Sequence, residues 1–131
     1  MIYLDSNVFI YATLNTAEPG EKARSLLLKI QQGEEKAETS ALTFDEVFWA
    51  IKKLDFEAAL EACQALLNFP NLEIISADRD LALLALEIIK KYHLDPRDAI
   101  HAATAIETKA EAVVSTDMHF DKIKELTRRS L

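Results

Sequence analysis

The chain has 131 residues, with 22 Asp and Glu set against 15 Lys and Arg for a net charge of −7, and half of its residues are hydrophobic. That length and apolar fraction suit one domain over residues 1–131 with a real core, and they exclude a disordered tail or a coiled-coil rod. The lone Cys63 excludes a disulfide framework, and no uncharged apolar run reaches the roughly 18–20 residues that span a bilayer. Met1 to Asp5 lacks the basic start of a signal peptide, so a cytoplasmic setting is expected. The acidic balance argues against gripping nucleic acid through bulk positive charge, but it leaves room for an enzyme whose carboxylates hold cations.

Ile2-Tyr3-Leu4 reads as a first strand buried on both faces. Pro19-Gly20 breaks the chain before a helix with the apolar stripe Ala23, Leu26, Leu27 and Ile30, and Gly33 stops it. Thr43 begins a helix that runs to about Leu54, and another runs from about Phe56 to Leu67. A turn leads into a strand at Leu72-Glu73-Ile74-Ile75. A long helix follows from about Arg79 to Tyr92, with Leu81, Leu84, Ala85, Ile88 and Ile89 on one side. Asp95-Pro96 starts the next helix, with Asp as N-cap and Pro at the first position, and its Ala-rich body runs to about Lys109. Ala112-Val113-Val114-Ser115 is the last clear strand, and the segment from Asp121 is expected to be helical. Short β-branched runs alternating with longer helices predict an α/β fold with a parallel sheet flanked by helices.

Four carboxylates stand out by position. Asp5 directly follows the first strand, and Asp117 follows the last clear one. Side chains just beyond the carboxyl ends of parallel strands line the ligand crevice of such a sheet. Glu46 and Asp98 each fall in the first turn of a helix. Each residue also has a local reading: Asp5 as an N-cap or turn residue, Glu46 as the end of a Thr43–Glu46 capping box, Asp98 at a helix dipole, and Asp117 as a turn cap. Spacing does not separate these readings one residue at a time. If the four converge, their mutual repulsion requires cations, and the hard ions Mg²⁺ or Mn²⁺ suit carboxylate and water oxygens and the hydrolysis of a phosphodiester.

The segments Tyr3-Leu4-Asp5-Ser6-Asn7, Thr43-Phe44-Asp45-Glu46-Val47, Asp98-Ala99-Ile100-His101-Ala102-Ala103-Thr104-Ala105 and Ser115-Thr116-Asp117-Met118-His119-Phe120 together resemble the PIN-domain nucleases, above all the small VapC-type toxins. The resemblance spans nearly the whole chain in the family's order. It implies an α/β/α sandwich and a Mg²⁺- or Mn²⁺-dependent endoribonuclease that leaves a 5′-phosphate and a 3′-hydroxyl. Asp5, Glu46, Asp98 and Asp117 match the acidic quartet, with Asp5 and Asp98 the most direct metal ligands. It also implies an RNA substrate, a homodimer and a cognate antitoxin whose segment covers the acidic groove.

Further candidates are Ser6 and Asn7 beside Asp5, Thr116 beside Asp117, and Asp121 as an auxiliary ligand or a solvated helix start. His101 stands at i+3 from Asp98, facing the site or serving as a structural histidine. His93 and His119 have no Cys/His ligand spacing, which argues against a zinc site. Phe44, Phe48, Trp49 and Ile51 read as core or interface packing, while Lys52, Lys53, Arg97, Lys122, Lys124, Arg128 and Arg129 are candidates for meeting phosphates. Two rivals are a catalytically silent binding module on the same scaffold and a haloacid-dehalogenase-like phosphatase. The latter expects a second Asp where Asn7 stands.

Overall fold

A computed structural model of the chain describes residues 1–131. Its elements, in order, are β1 (Ile2–Leu4), α1 (Ser6–Leu14), α2 (Glu18–Gln31), β2 (Ala37–Ser40), α3 (Leu42–Lys52), α4 (Phe56–Leu67), β3 (Leu72–Ile75), α5 (Arg79–Tyr92), α6 (Pro96–Glu107), β4 (Val113–Val114) and β5 (Arg128–Arg129), with a 3₁₀ turn at Met118–Lys122. The five strands form one parallel sheet in the order β3-β2-β1-β4-β5. Successive side chains of a strand point to opposite faces, and the sheet is packed on both. Ile2, Leu4 and Val114 join a core under α1–α4, whereas Tyr3 and Val113 join one under α5 and α6. Each fully buried Ile or Leu in these layers contributes roughly 1.5–3 kcal/mol of transfer free energy. The result is the α/β/α sandwich expected, and no helix is long and apolar enough to cross a membrane.

The strand order places β1 centrally. The chain winds outward from it through β2 to β3, then crosses back to β4 on β1's other side. The switch of winding direction opens a crevice beyond the carboxyl ends of β1 and β4. Asp5 and the segment Ser115–Asp117 flank that crevice.

Several local expectations need correction. Strand β2 and helix α1 are not predicted by the sequence patterns. The sequence Ala37-Glu38-Thr39-Ser40 has little of the β-branched or aromatic character of a strand, but β1 and β3 pair with it on either side. Helix α2 begins at Glu18 and so includes Pro19 and Gly20, which break nothing. The Asn15 side chain accepts the N–H groups of Ala17 and Gly20, and a Cβ at Gly20 would collide with the Asn15 carbonyl 1.9 Å away. Gly33, at φ +81°, closes that helix as expected.

Helix α3 starts at Leu42, and no capping box forms. Thr43 instead meets the Thr39 hydroxyl at 2.7 Å, and Thr39 is within 2.7 Å of the Leu4 carbonyl. Asp95 stands at the N-cap of α6 by backbone position, but its side chain caps nothing. The segment from Asp121 is not a helix. Its 3₁₀ turn ends at Lys122, and Arg128–Arg129 pair with β4 as the last strand of the sheet.

Candidate functional site

Asp5 caps α1 and stands at the crevice beyond β1. Its Oδ1 accepts the Ser6 N–H at 2.7 Å at the start of α1, and its Oδ2 accepts the Ser115 hydroxyl at 2.6 Å. The residue is only 5% exposed. Burial pushes its pKa above the ordinary carboxylate value, against the opposing pull of His101 and these two hydrogen bonds.

Ser115 joins the segments that carry Asp5 and Asp117. Beyond donating to Asp5, its Oγ accepts the Asp117 N–H at 2.9 Å and an Asn7 amide hydrogen at 3.3 Å. The same Asn7 amide donates to Thr116 Oγ1 at 2.9 Å, while Asn7 Oδ1 is buried without a partner. Of the auxiliary candidates, Ser6, Asn7 and Thr116 therefore adjoin the acidic residues. Asp121 faces elsewhere: Arg128 clasps its carboxylate at 2.8 and 3.2 Å.

Two histidines link the four principal carboxylates in pairs. His101, on α6, is fully buried. Its Nε2 is hydrogen-bonded to Glu46 of α3 and lies 3.6 Å from Asp5 Oδ1. Its Nδ1 is 2.5 Å from the hydroxyl of Tyr3. Burial alone would lower the His101 pKa, but the bond to Glu46 and the charges of Asp5, Glu46 and Asp98 raise it on balance. The Tyr3 phenol is driven far above its ordinary pKa, first by burial and then by the charge of Asp5, so it stays protonated.

His119, in the 3₁₀ turn, stands with Nδ1 3.0 Å from Asp117 Oδ1 and 3.9 Å from Asp98 Oδ2. Asp117 also caps that turn by accepting the His119 N–H at 2.9 Å. Asp98 is half-buried, and its pKa is pushed up to about 6, first by desolvation and then by the charges of Asp117 and Asp5.

That repulsion is what a cation relieves. One ligand atom each from Asp98, Asp117 and His119 lies within 4.8 Å of the others. Ligands on opposite sides of an ion bound at about 2.1 Å stand about 4.2 Å apart, so the spacing suits one small divalent ion after slight tightening. Carboxylate oxygens dominate the set, and such hard donors favour Mg²⁺ or Mn²⁺; the imidazole nitrogen shifts the balance toward Mn²⁺. The residues fit the group.

Lys122 shares a hollow of about 130 Å³ with Asp98 and His119. Among the other candidate cations, Lys52 sits 4.1 Å over the Trp49 ring, and Arg128 and Arg129 are paired with Asp121 and Glu35. A larger apolar groove, of about 430 Å³, lies apart from the acidic residues between α1, α2 and α4.

Sequence reasoning missed Ser115 and His119 as members of this site. The signal for Ser115 is its place at the end of a strand, directly before Thr116 and Asp117. The signal for His119 is its place two residues after Asp117, which Cys/His ligand spacing does not capture.

Solved structures share this architecture. A toxin–antitoxin complex from Klebsiella pneumoniae aligns with a TM-score of 0.74 at 21% identity, covering 100% of both chains. VapBC2 from Rickettsia felis, bound to a DNA fragment from its promoter, aligns at 0.75 and 20% identity over 99% of this chain and 98% of that one. VapC20 from Mycobacterium tuberculosis, a toxin that cleaves the sarcin–ricin loop, aligns at 0.79 and 15% identity over 95% of each chain. At these identities the likeness is one of fold. No curated protein matches the chain in sequence. Residues 2–126 match the model of the PIN domain, a match that sets aside the phosphatase reading: the chain belongs to the PIN domain family.

Proposed function

We propose that the protein is a divalent-metal-dependent endoribonuclease, acting in the cytoplasm as the toxin of a VapBC-type toxin–antitoxin pair. The observation that carries the reading is the gathering of Asp5, Glu46, Asp98 and Asp117 around two histidines at the switch point of a PIN-family sheet. Asp98 and Asp117, with His119, would hold Mg²⁺ or Mn²⁺, and Asp5 and Glu46 would complete the acidic shell. When bound, such an ion supplies positive charge that acidifies water and stabilises the charge developing on a scissile phosphate.

The chain's own groups do the arranging. Ser6 and Ser115 fix both oxygens of Asp5, and the Ser115 hydroxyl sets the backbone of Asp117. His101 places Glu46 next to Asp5. Lys122, beside Asp98, offers a cation to substrate phosphate.

The toxin reading draws on the fold neighbours, which are themselves toxins or toxin–antitoxin complexes. An antitoxin partner and a homodimer belong to the same proposal. The exposed Phe44, Trp49, Phe56 and Leu60 on α3 and α4 supply an apolar face suited to pairing of copies.

The test is cleavage of a mixed RNA pool by purified protein with Mn²⁺, with Mg²⁺ and with EDTA, run beside Asp98→Asn. Metal-dependent cleavage that disappears in the variant supports the reading. Cleavage that survives in Asp98→Asn assigns the activity elsewhere, and no cleavage by antitoxin-free protein favours a silent binding module.

A further inference from the structure

We propose that His101 is a positioning residue whose Nε2–H, backed at Nδ1 by Tyr3, holds the Glu46 carboxylate at the acidic site. The inference rests on reading that site as the metal centre.

A fully buried imidazole needs partners for both nitrogens. Its Nδ1 faces the Tyr3 hydroxyl at 2.5 Å. The same hydroxyl oxygen accepts the backbone N–H of Ser40 at 3.2 Å, while Nε2 faces a carboxylate, a group that accepts. In the neutral ring Nδ1 is then the acceptor and Nε2 carries the hydrogen, which it donates to Glu46.

The chain of bonds crosses the carboxyl edge of the sheet. It starts at the end of β2, passes through β1 and α6, and ends on α3. Helix α3 packs on one face of the sheet and α6 on the other, so this bond ties Glu46 to the helix that carries Asp98. Nε2 also lies 3.6 Å from Asp5 Oδ1. A donor between two carboxylates lets them approach each other while keeping both as acceptors. The opposite tautomer would present a lone pair to Glu46. The Tyr3 hydroxyl thus acts at a distance on a carboxylate it does not touch. Partners that orient a metal-binding side chain typically change metal affinity about 10–100-fold when removed.

A packing role and a positioning role differ in what rescues them. A glutamine side chain brings an amide N–H to the place of Nε2, whereas asparagine reaches only the place of Nδ1. Mn²⁺ binding is measured by calorimetry on the whole chain for wild type, His101→Gln, His101→Asn and Tyr3→Phe, with melting temperatures alongside. The ring tautomer is read on metal-free wild type and Tyr3→Phe by long-range ¹H–¹⁵N correlation.

The expected result is an Nε2–H ring in wild type that becomes a tautomer mixture in Tyr3→Phe. Mn²⁺ affinity should fall about 10-fold or more in His101→Asn and stay within about threefold of wild type in His101→Gln. Equal affinities in the two His101 variants, whether both weak or both normal, overturn the proposal. So does a wild-type ring with its hydrogen on Nδ1. If wild type shows the Nε2–H ring but binds no Mn²⁺, the metal-site reading fails and takes this inference with it. Should His101→Asn not fold, the tautomer comparison and His101→Gln decide.

Discussion

Asp5 and Glu38 are both carboxylates buried against the central sheet, 5% and 1% exposed, and both have pKa values raised first by burial. Their surroundings differ. Glu38, in β2, has one principal partner, the Thr108 hydroxyl at 2.5 Å, which closes the far end of α6 against the strand. Asp5 has its backbone cap, the Ser115 hydroxyl, a neighbouring imidazole and another carboxylate that raises its pKa further. Burial of an acid therefore marks a strained position, not a function. Glu38 also feels a like charge, that of Glu73; what sets Asp5 apart is the buried imidazole beside it and a donor on each of its oxygens, the arrangement expected at the proposed cation site.

The strongest way to break this comparison is to neutralise Asp5. Asp5→Asn should abolish RNA cleavage, a loss beyond the about 10–100-fold that outer partners cost. Asparagine still caps α1 and removes one repelling charge, so the metal-free variant should melt no lower than wild type. Adding Mn²⁺ at about 100 times its Kd should stabilise wild type by about 2.7 kcal/mol. The same addition should barely move Asp5→Asn, and equal metal-induced shifts would remove Asp5 from the site.

Ser115→Ala comes next. It strips one acceptor bond from Asp5 and leaves the Asp117 N–H without its partner, so cleavage should fall about 10–100-fold, with Kd for Mn²⁺ rising in step. The accompanying loss of stability should be about 1–3 kcal/mol by denaturant melts.

Glu38→Gln tests the other side of the comparison. A carboxylate whose folded pKa is raised contributes fully below its unfolded value, near 4.3, and that contribution is lost as pH rises through the folded pKa. Glutamine keeps an acceptor for Thr108 and has no proton to lose. The variant should therefore melt about 3–5 °C above wild type at neutral pH if the relief is of order 1 kcal/mol, and the gap should close toward pH 4. Cleavage should be unchanged.

The smallest effect belongs to Asp121→Ala. Its carboxylate is held by Arg128 at a half-exposed position, so both melting temperature and cleavage should stay near wild type. A large loss of cleavage would return Asp121 to the site.

Much of the scaffold was legible because it is written in local patterns. The apolar stripe of α5 and the Asp95-Pro96 start of α6 fix those helices, and Val113-Val114 declares its strand. Strand β2 was illegible because a strand with neighbours on both sides can be made of Ala, Glu, Thr and Ser. Strand β5 was illegible because Arg128 and Arg129 have no β-branched or aromatic character and pair at an edge where Asp121 and Glu35 take up their charges. The positions of the four acids followed from strand ends and helix starts. The roles of the residues between them did not. His101 lies on an Ala-rich buried face, and only the meeting of β1, α3 and α6 shows that its two nitrogens have different partners. The Thr43–Glu46 spacing even suggested a local use for Glu46 that the fold declines.

The placement of β5 bears on the order in which the protein becomes competent. Arg129 accepts the backbone N–H of Ser115, and the Arg128 guanidinium donates to the Ser115 carbonyl. Both backbone groups of the residue that seats Asp5 are thus anchored by chain synthesised after all four principal carboxylates. A growing polypeptide carries every acid of the site well before it carries the strand that fixes Ser115 among them. Under the proposed activity, cleavage would wait for the time needed to make and dock residues 128–129.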